Sequence, residues 1–457
     1  MSAYKPYPKT KDSGVEWLGN MPEEWAFSRL KHVVDPVRSI TYGIVQAGPD
    51  IPGGIPYVRP ADMSDEGGVT DPDGIMRTSS EIAASYTRSA IRTGDLVCSI
   101  GPSFGKVMVV PEWLEGGNLT QGTARVAVSR FAHARFFYWI LLSEESYGQW
   151  ESSIGGATFR ALNLGSLAET YIPLPPLPEQ RQVAAFLDRE CGKLDVMQAK
   201  QERLIELLKE KRQALISHAV TRGLDPTAKL KPSGIEWLGE VPEDWRVGKC
   251  GFYLSILSGF AFPSAGFTQD ESQTKLLRGI NVGVSRIKWD ETVYWQRSEN
   301  DGLGCYELKA GDLVVGMDRP WISEGVRVAK ISEDDLPCLL LQRVTSLKTS
   351  SLLSTDYLFR ILSSEMFVAY FTPDTTGVSV PHLSPDQICD FVIPIPPLAE
   401  QRAIVAHLDE KCGKIDQLKA KAERGIELLK ERRSALISAA VTGKIDVRTS
   451  LKQTVLA

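Results

Sequence analysis

Two long stretches of the chain carry apolar residues at helical spacing, and their patterns match. In the first, Leu187, Leu194, Leu208 and Leu215 fall on a seven-residue grid interrupted by Gln201, with Met197 and Leu204 half a heptad away. In the second, the grid holds Leu408, Ile415, Ala422, Leu429 and Leu436. A sustained heptad of this kind predicts either a coiled-coil seam or the buried face of a bundle helix. Each stretch opens just after a proline-rich segment, with Glu and Gln at the first positions, as helix N-termini do. Gly192 and Gly413 interrupt the pattern at about 1 kcal/mol each relative to alanine, so each helix is expected to bend or break there. Unbroken, Gln180 to Val220 would span roughly 60 Å.

The match extends beyond periodicity. PLPPLPEQRQVAAFLD from Pro173 recurs as PIPPLAEQRAIVAHLD from Pro394, and SGVEWLGNMPEEW from Ser13 recurs as SGIEWLGEVPEDW from Ser233, at offsets of 221 and 220. Between the shared pieces, Ala26 to Tyr171 and Arg246 to Phe391 differ in residue type. A repeated frame therefore encloses different contents. Both inner segments mix short β-like runs (LVCSI, KVMVV, ARVAV, GVRVAK) with Gly/Pro turns and helical stretches such as FFYWILLSEESYGQW, which predicts compact α+β domains. Shorter echoes link the two, TGDLVCSIG with AGDLVVGMD and GATFRALNLGSL with GVSVPHLSPDQI, so one fold carrying two surfaces is expected. Trp17, Trp25, Trp237 and Trp245 repeat with the frame and are expected to be packing anchors. The PLPPL and PIPPL runs read as stiff connectors into the helices. If the two helices pair antiparallel, the inner domains lie at opposite ends.

Composition narrows the functional classes. With 457 residues, 43% hydrophobic and 24% charged, the chain has the balance of a soluble multidomain protein. It has no apolar run of membrane-spanning length and its polar start lacks the apolar core of a secretory signal, so a cytoplasmic protein without membrane contact is expected. Seven scattered cysteines with no CxxC spacing suggest neither disulfides nor zinc. A net charge of -5 argues against indiscriminate coating of nucleic acid and leaves room for local basic surfaces.

Catalytic chemistry is not apparent. Both Pro-Pro pairs lack the Asp/Asn-Pro-Pro-aromatic context of amino-methyltransferases, GPSFGKV from Gly101 falls short of a phosphate loop, and no clustered carboxylates suggest a nuclease. His32, His133, His218, His382 and His407 show no ligand spacing, and no metal site is expected.

Taken in order, the duplicated EWLGxxPExW lead-ins, GDLV turns, PLPPLxEQR-type helix starts and heptads ending in ALISHAVT or ALISAAVT resemble the specificity subunit of a type I restriction-modification enzyme, over nearly the whole chain. The resemblance implies an α+β fold with two similar α/β target recognition domains, separated by two long antiparallel coiled-coil helices in a pseudo-twofold internal repeat. The implied domains are 1–172, a first recognition domain with its lead-in; 173–222, a first spacer helix; 223–393, a second recognition domain with its lead-in; and 394–457, a second spacer helix and tail. The helices would pair through Leu187, Leu194, Leu208, Leu215, Leu408, Ile415, Leu429 and Leu436. The implied function is non-catalytic reading of a bipartite, asymmetric site on double-stranded DNA. Two modification subunits would methylate adenine with S-adenosylmethionine, restriction subunits would cleave with ATP and magnesium, and this chain itself would bind no cofactor. A coiled-coil adaptor that binds only protein is the alternative.

Major-groove readout uses Arg or Lys for guanine and Asn or Gln for adenine. On that chemistry the DNA-contact candidates are Tyr42, Gln46, Arg59, Ser103, Lys106, Gln121 and Arg160 in the first domain. In the second they are Arg278, Asn281, Arg319, Trp321, Gln342, Arg343 and His382. Partner contacts are expected on the exposed helix faces and beside Pro176 and Pro397, where Glu202, Arg203, Glu206, Lys209 and Glu210 give mixed charge.

Overall fold

A computed structural model describes residues 4–448 apart from 16–17, 65–66, 155–159, 237, 324 and 376–380. The chain forms two compact units, one from Met1–Gln201 with Arg424–Ala457 and one from Glu202–Glu423. Each unit thus combines one globular segment with part of each long helix.

The internal repeat holds at the level of strand order. In the first unit an antiparallel sheet runs Thr41–Tyr42, Thr123–Val126, Leu96–Ser99, Val107–Val109. In the second the order is the same: Leu254–Ser258, Val344–Thr349, Leu313–Gly316, Val328–Lys330. A smaller mixed sheet is also repeated, with Ile55–Val58 between Arg77–Thr78 and Asn118–Leu119, and Thr274–Leu277 between Tyr294–Trp295 and Cys338–Leu340. The GDLV echo has a physical cause: Gly94 and Gly311 take φ of 85° and 88° to turn into the central strands at Leu96 and Leu313. The FFYWILLSEESYGQW run is helical, as Ala134–Leu141 followed by Glu144–Ile154.

The chain leaves each globular segment through a strand that pairs with the strand by which it entered. Ala26–Arg29 pairs with Tyr171–Leu174, and Arg246–Lys249 with Val392–Ile395. Two prolines follow, and the long helices start at Leu177 and Leu398, running to Arg222 and Val441. The EQ dipeptide secures each start. Gln180, 3% exposed, accepts the His133 N–H at 2.9 Å and donates to the Pro175 carbonyl at 2.9 Å. Gln401, fully buried, accepts the Ser354 N–H at 2.7 Å and donates to the Leu352 and Pro396 carbonyls at 3.0 and 2.8 Å.

The helices pair antiparallel within each unit. In the first, Asp195 meets Arg433 at 3.1 Å while Gln201 lies beside Gly425. In the second, Arg212 meets Asp416 at 3.5 Å while Ile216 and Val220 share a core with Ile404 and Leu408. Leu187, Leu194, Leu208, Leu408 and Ile415 are buried, and Leu215, Leu429 and Leu436 half-buried.

Two expectations about the helices need correction. Both run unbroken through Gly192 and Gly413. Cys191 and Cys412, buried next door, anchor the backbone there, and packing outweighs the ~1 kcal/mol propensity cost. Met197 and Leu204 are not in the seam but 51% and 41% exposed. Heptad spacing alternates three and four, and here the intermediate position lies four residues after each grid residue, at Cys191 and Cys412.

Sheet and helices close over one main core in each unit. Cys98, Val107 and Val126 meet Phe136, Phe186, Leu187 and Ala440 in the first. Leu313, Val328 and Leu347 meet Tyr357, Ile404, Leu408 and Val220 in the second. Trp25 and Trp245 are fully packed, and Trp245 donates to Glu400 at 2.9 Å. Trp17 and Trp237 lie outside the described residues. No described helix is long and apolar enough to cross a membrane.

Candidate nucleic-acid interface

In each unit the loops at one end of the four-stranded sheet converge. In the first unit, Ile100 and Gly101 donate backbone N–H groups to the Gly122 carbonyl at 2.8 and 3.2 Å. Leu162 donates to Ile100 at 2.9 Å and Gln121 to Ile44 at 3.0 Å. Gly122 also sits against Pro60 so closely that a Cβ would clash. Segments around positions 44, 60, 101, 122 and 162 therefore form one surface. Gln121, Ser103 and Arg160 lie exposed on it.

The second unit repeats this framework with other side chains. Met317 donates to the Arg343 carbonyl at 2.9 Å, Leu383 to Met317 at 2.9 Å and Gln342 to Phe260 at 2.9 Å. By these bonds Gly122 corresponds to Arg343, Gly101 to Asp318 and Ala161 to His382. Asp318 Oδ1 accepts from His382 Nδ1 at 2.7 Å and pairs with Arg343 at 3.4 Å. Arg319 donates its N–H to Pro381 at 2.7 Å, and Gly279 packs against Arg343. Trp321 stands half-buried on a short hairpin with Val326.

The other candidates divide by how they are held. Arg59 is committed to Asp62 through Nε and Nη2, and the carboxylate pushes the guanidinium pKa up. Arg160 pairs with Glu151 and lies 5.8 Å over the Phe104 ring. Arg278 donates to the Glu291 carbonyl. Tyr42 is exposed on the edge strand opposite Ala124, and Gln46 is exposed four residues further on.

One candidate is corrected, and another is engaged within the fold. Asn281 is 1% exposed and its amide is used internally, accepting from Arg278 N at 3.0 Å and donating to Lys288 at 2.9 Å. It closes a turn and reaches no groove. Lys106 is half-buried and donates from Nζ to the Met63 carbonyl at 2.8 Å. Its counterpart Arg327 does the same work, donating to Val282 at 2.9 Å and Asp318 at 2.8 Å, with burial lowering its pKa. Both cations brace the frame.

Asp318 was missed by the sequence reading, because its contact with His382 spans 64 positions and no local signal marks it. Arg327 was also missed; nothing in GVRVAK separates a bracing arginine from an exposed one. Among the described residues, no group of three or more His, Cys, Asp or Glu is arranged to hold a metal ion.

Residues 22–206 match the family model for the type I restriction modification DNA specificity domain. That stretch is similar to the DNA specificity domain and makes up rather less than half of the chain. It is 30% identical over 281 residues to the type I restriction enzyme MjaVIII specificity subunit of Methanocaldococcus jannaschii, covering 61% of this chain and 62% of that one. It is 34% identical over 181 residues to the EcoAI specificity subunit of Escherichia coli, covering 39% and 30%. The matches to these two relatives thus span less than two thirds of their lengths. The putative MjaX specificity subunit of M. jannaschii aligns over 94% of this chain and 96% of its own length at 24% identity. The fold is shared with solved structures. A chain from work on complex assembly and conformational transition of the type I R-M system superposes with a TM-score of 0.70 at 19% identity, covering 93% of this chain and 99% of that one. The HsdS subunit from Thermoanaerobacter tengcongensis gives 0.50 at 20% identity, over 93% and 98%.

Proposed function

We propose that this chain is the non-catalytic, sequence-reading subunit of a type I restriction-modification complex. Each unit reads one half of a bipartite, asymmetric double-stranded DNA site. Modification subunits, two per chain, methylate adenine there with S-adenosylmethionine, and restriction subunits cleave with ATP and magnesium. The chain itself holds no cofactor and works in the cytoplasm, where its DNA is.

One observation carries the reading. The same backbone hydrogen bonds hold the same loops in both units, yet Gly101, Gly122 and Ala161 in one stand where Asp318, Arg343 and His382 stand in the other. A shared scaffold with exchanged loop chemistry suits two readers of different half-sites, since base-edge contacts specify sequence while the scaffold only positions them.

Long-read methylation mapping of plasmid DNA tests it, in cells making this chain with its modification subunit and in cells making the modification subunit alone. Methylated adenine in one bipartite motif, dependent on this chain, is the expected result. Exchanging Ala26–Tyr171 for the segment of another specificity subunit should change one half of the motif only. A stable complex without new methylation would point to a protein adaptor instead.

A further inference from the structure

Asp318, Arg319, Arg343 and His382 form a polar cluster that the first unit folds without. Arg319 and Arg343 have φ of 45° and 72°, a left-handed conformation that suits glycine and strains arginine. Both are exposed, and the Arg343 side chain keeps 60% of its surface. The strained positions are not needed to close the loops: at the Arg343 position the first unit makes the same carbonyl contact through Gly122. Nor does the Asp318 ion pair account for them, because an exposed pair at 3.4 Å contributes little to folding. An arginine kept in a glycine conformation, exposed, and aligned by a carboxylate is arranged for a ligand outside the chain.

We infer that Arg343 reads a guanine in the half-site of the second unit, with Asp318 as its positioning residue. A guanidinium fork matches guanine O6 and N7 with two parallel hydrogen bonds. Asp318 Oδ1 takes both the His382 ring nitrogen and Arg343 Nη1, so the carboxylate held by His382 biases one arm of the fork and leaves the other free to face a base. The first unit, with Gly122 at this place, makes no equivalent contact. This inference rests on the DNA-reading function proposed above.

The test compares the wild-type chain, Arg343→Gly and Asp318→Asn, each complexed with its modification subunit, by binding selection from a randomised DNA library at two salt concentrations. Wild type should select a guanine in the second half-site. R343G should lose a preference of roughly ten- to a hundredfold at that one position and leave the first half-site unchanged. D318N should weaken the same preference in part. R343G relieves the positive φ, and Arg343→Asn, which also tolerates it, guards against a folding artefact. If wild type selects a motif but R343G leaves it unaltered, the inference fails. It fails too if R343G loses affinity evenly across sequences with a shallower salt dependence, which marks a phosphate contact. If wild type selects no sequence at all, the DNA-reading function fails with it.

Discussion

Replacing Gln401 by leucine tests whether the EQ dipeptide fixes the joint between the second globular segment and its long helix. Leucine is apolar and somewhat bulkier, with neither donor nor acceptor. The change deletes three hydrogen bonds, to Ser354 N–H and to the Leu352 and Pro396 carbonyls, at a site with no solvent access. At about 1 kcal/mol net per bond, and with the half-buried Ser354 N–H left without Gln401, the cost is about 2–4 kcal/mol after allowing for the apolar replacement. In a unit of some 220 residues that is a fall of roughly 4–9 °C in its melting transition. Hydrogen exchange localises the effect, with the helix Thr355–Leu362, whose N-terminal backbone Gln401 caps, losing protection first. Gln180→Leu deletes two bonds and should cost less. A melting transition within about 1 °C of wild type, with unchanged exchange at Thr355–Leu362, would refute the reasoning.

Burial raises the Glu400 carboxyl above its ordinary 4.5, so the native second unit holds that proton to higher pH than the unfolded chain. Its contribution to stability is fully present below the ordinary value and is lost as pH rises through the raised one. Glu400→Gln, which keeps an acceptor for Trp245, should flatten this part of the profile, and denaturation midpoints between about pH 4.5 and 7 would show it. Cys98, Cys191, Cys250 and Cys338 are buried, with thiols pushed up to about 12, whereas Cys305 is exposed. A thiol reagent should therefore label Cys305 fast in the native protein, and Cys305→Ser should remove that phase. Lys106→Arg, which imports the residue found at the equivalent site of the second unit, should leave both stability and the selected DNA sequence unchanged. Lys106→Met should lower the melting temperature; a shift in the methylated motif with K106R would show that Lys106 reads DNA after all.

The frame was readable from sequence because its physics is local and periodic. Heptads, Pro-Pro connectors, the GDLV turns with Gly94 and Gly311, and tryptophans at matched offsets all announce themselves within a few residues. The heptad phase was less legible: Met197 and Leu204 are apolar and one position out of register with the seam, and only packing shows that Cys191 takes the inner place. The interface was legible as a set of residue types but not as a surface. Asn281 and Gln342 are both amides in loops, and what separates them is a turn closed by Lys288 in one case and exposure in the other. Lys106 and Arg327 likewise carry carbonyl contacts that no residue type announces.

The joints explain how the contents can diverge while the frame stays fixed. Gln180 and Gln401 hold their globular segments entirely through backbone groups: the N–H of His133 or Ser354, and the carbonyls of Pro175, Leu352 and Pro396. Backbone partners survive any substitution except proline at the donor, so the loops can change residue by residue without loosening the helix start. The entry and exit strands behave alike, since Ala26–Arg29 and Tyr171–Leu174 pair through main-chain bonds. Side-chain contacts across the same joint, such as Arg135 and Trp139 on Asp188, are the part a foreign segment would lose. The Arg135–Asp188 pair is more than a third exposed, where an ion pair contributes at most about 1 kcal/mol, whereas the core that Phe136 and Phe137 share with Phe186 and Leu187 asks only for apolar side chains of similar size. A chimera cut within the paired strands that keeps apolar side chains at these core positions should therefore fold, and a defect in one would be cured by restoring the native Ala134–Leu141 helix, leaving the imported loops free to set which sequence is read.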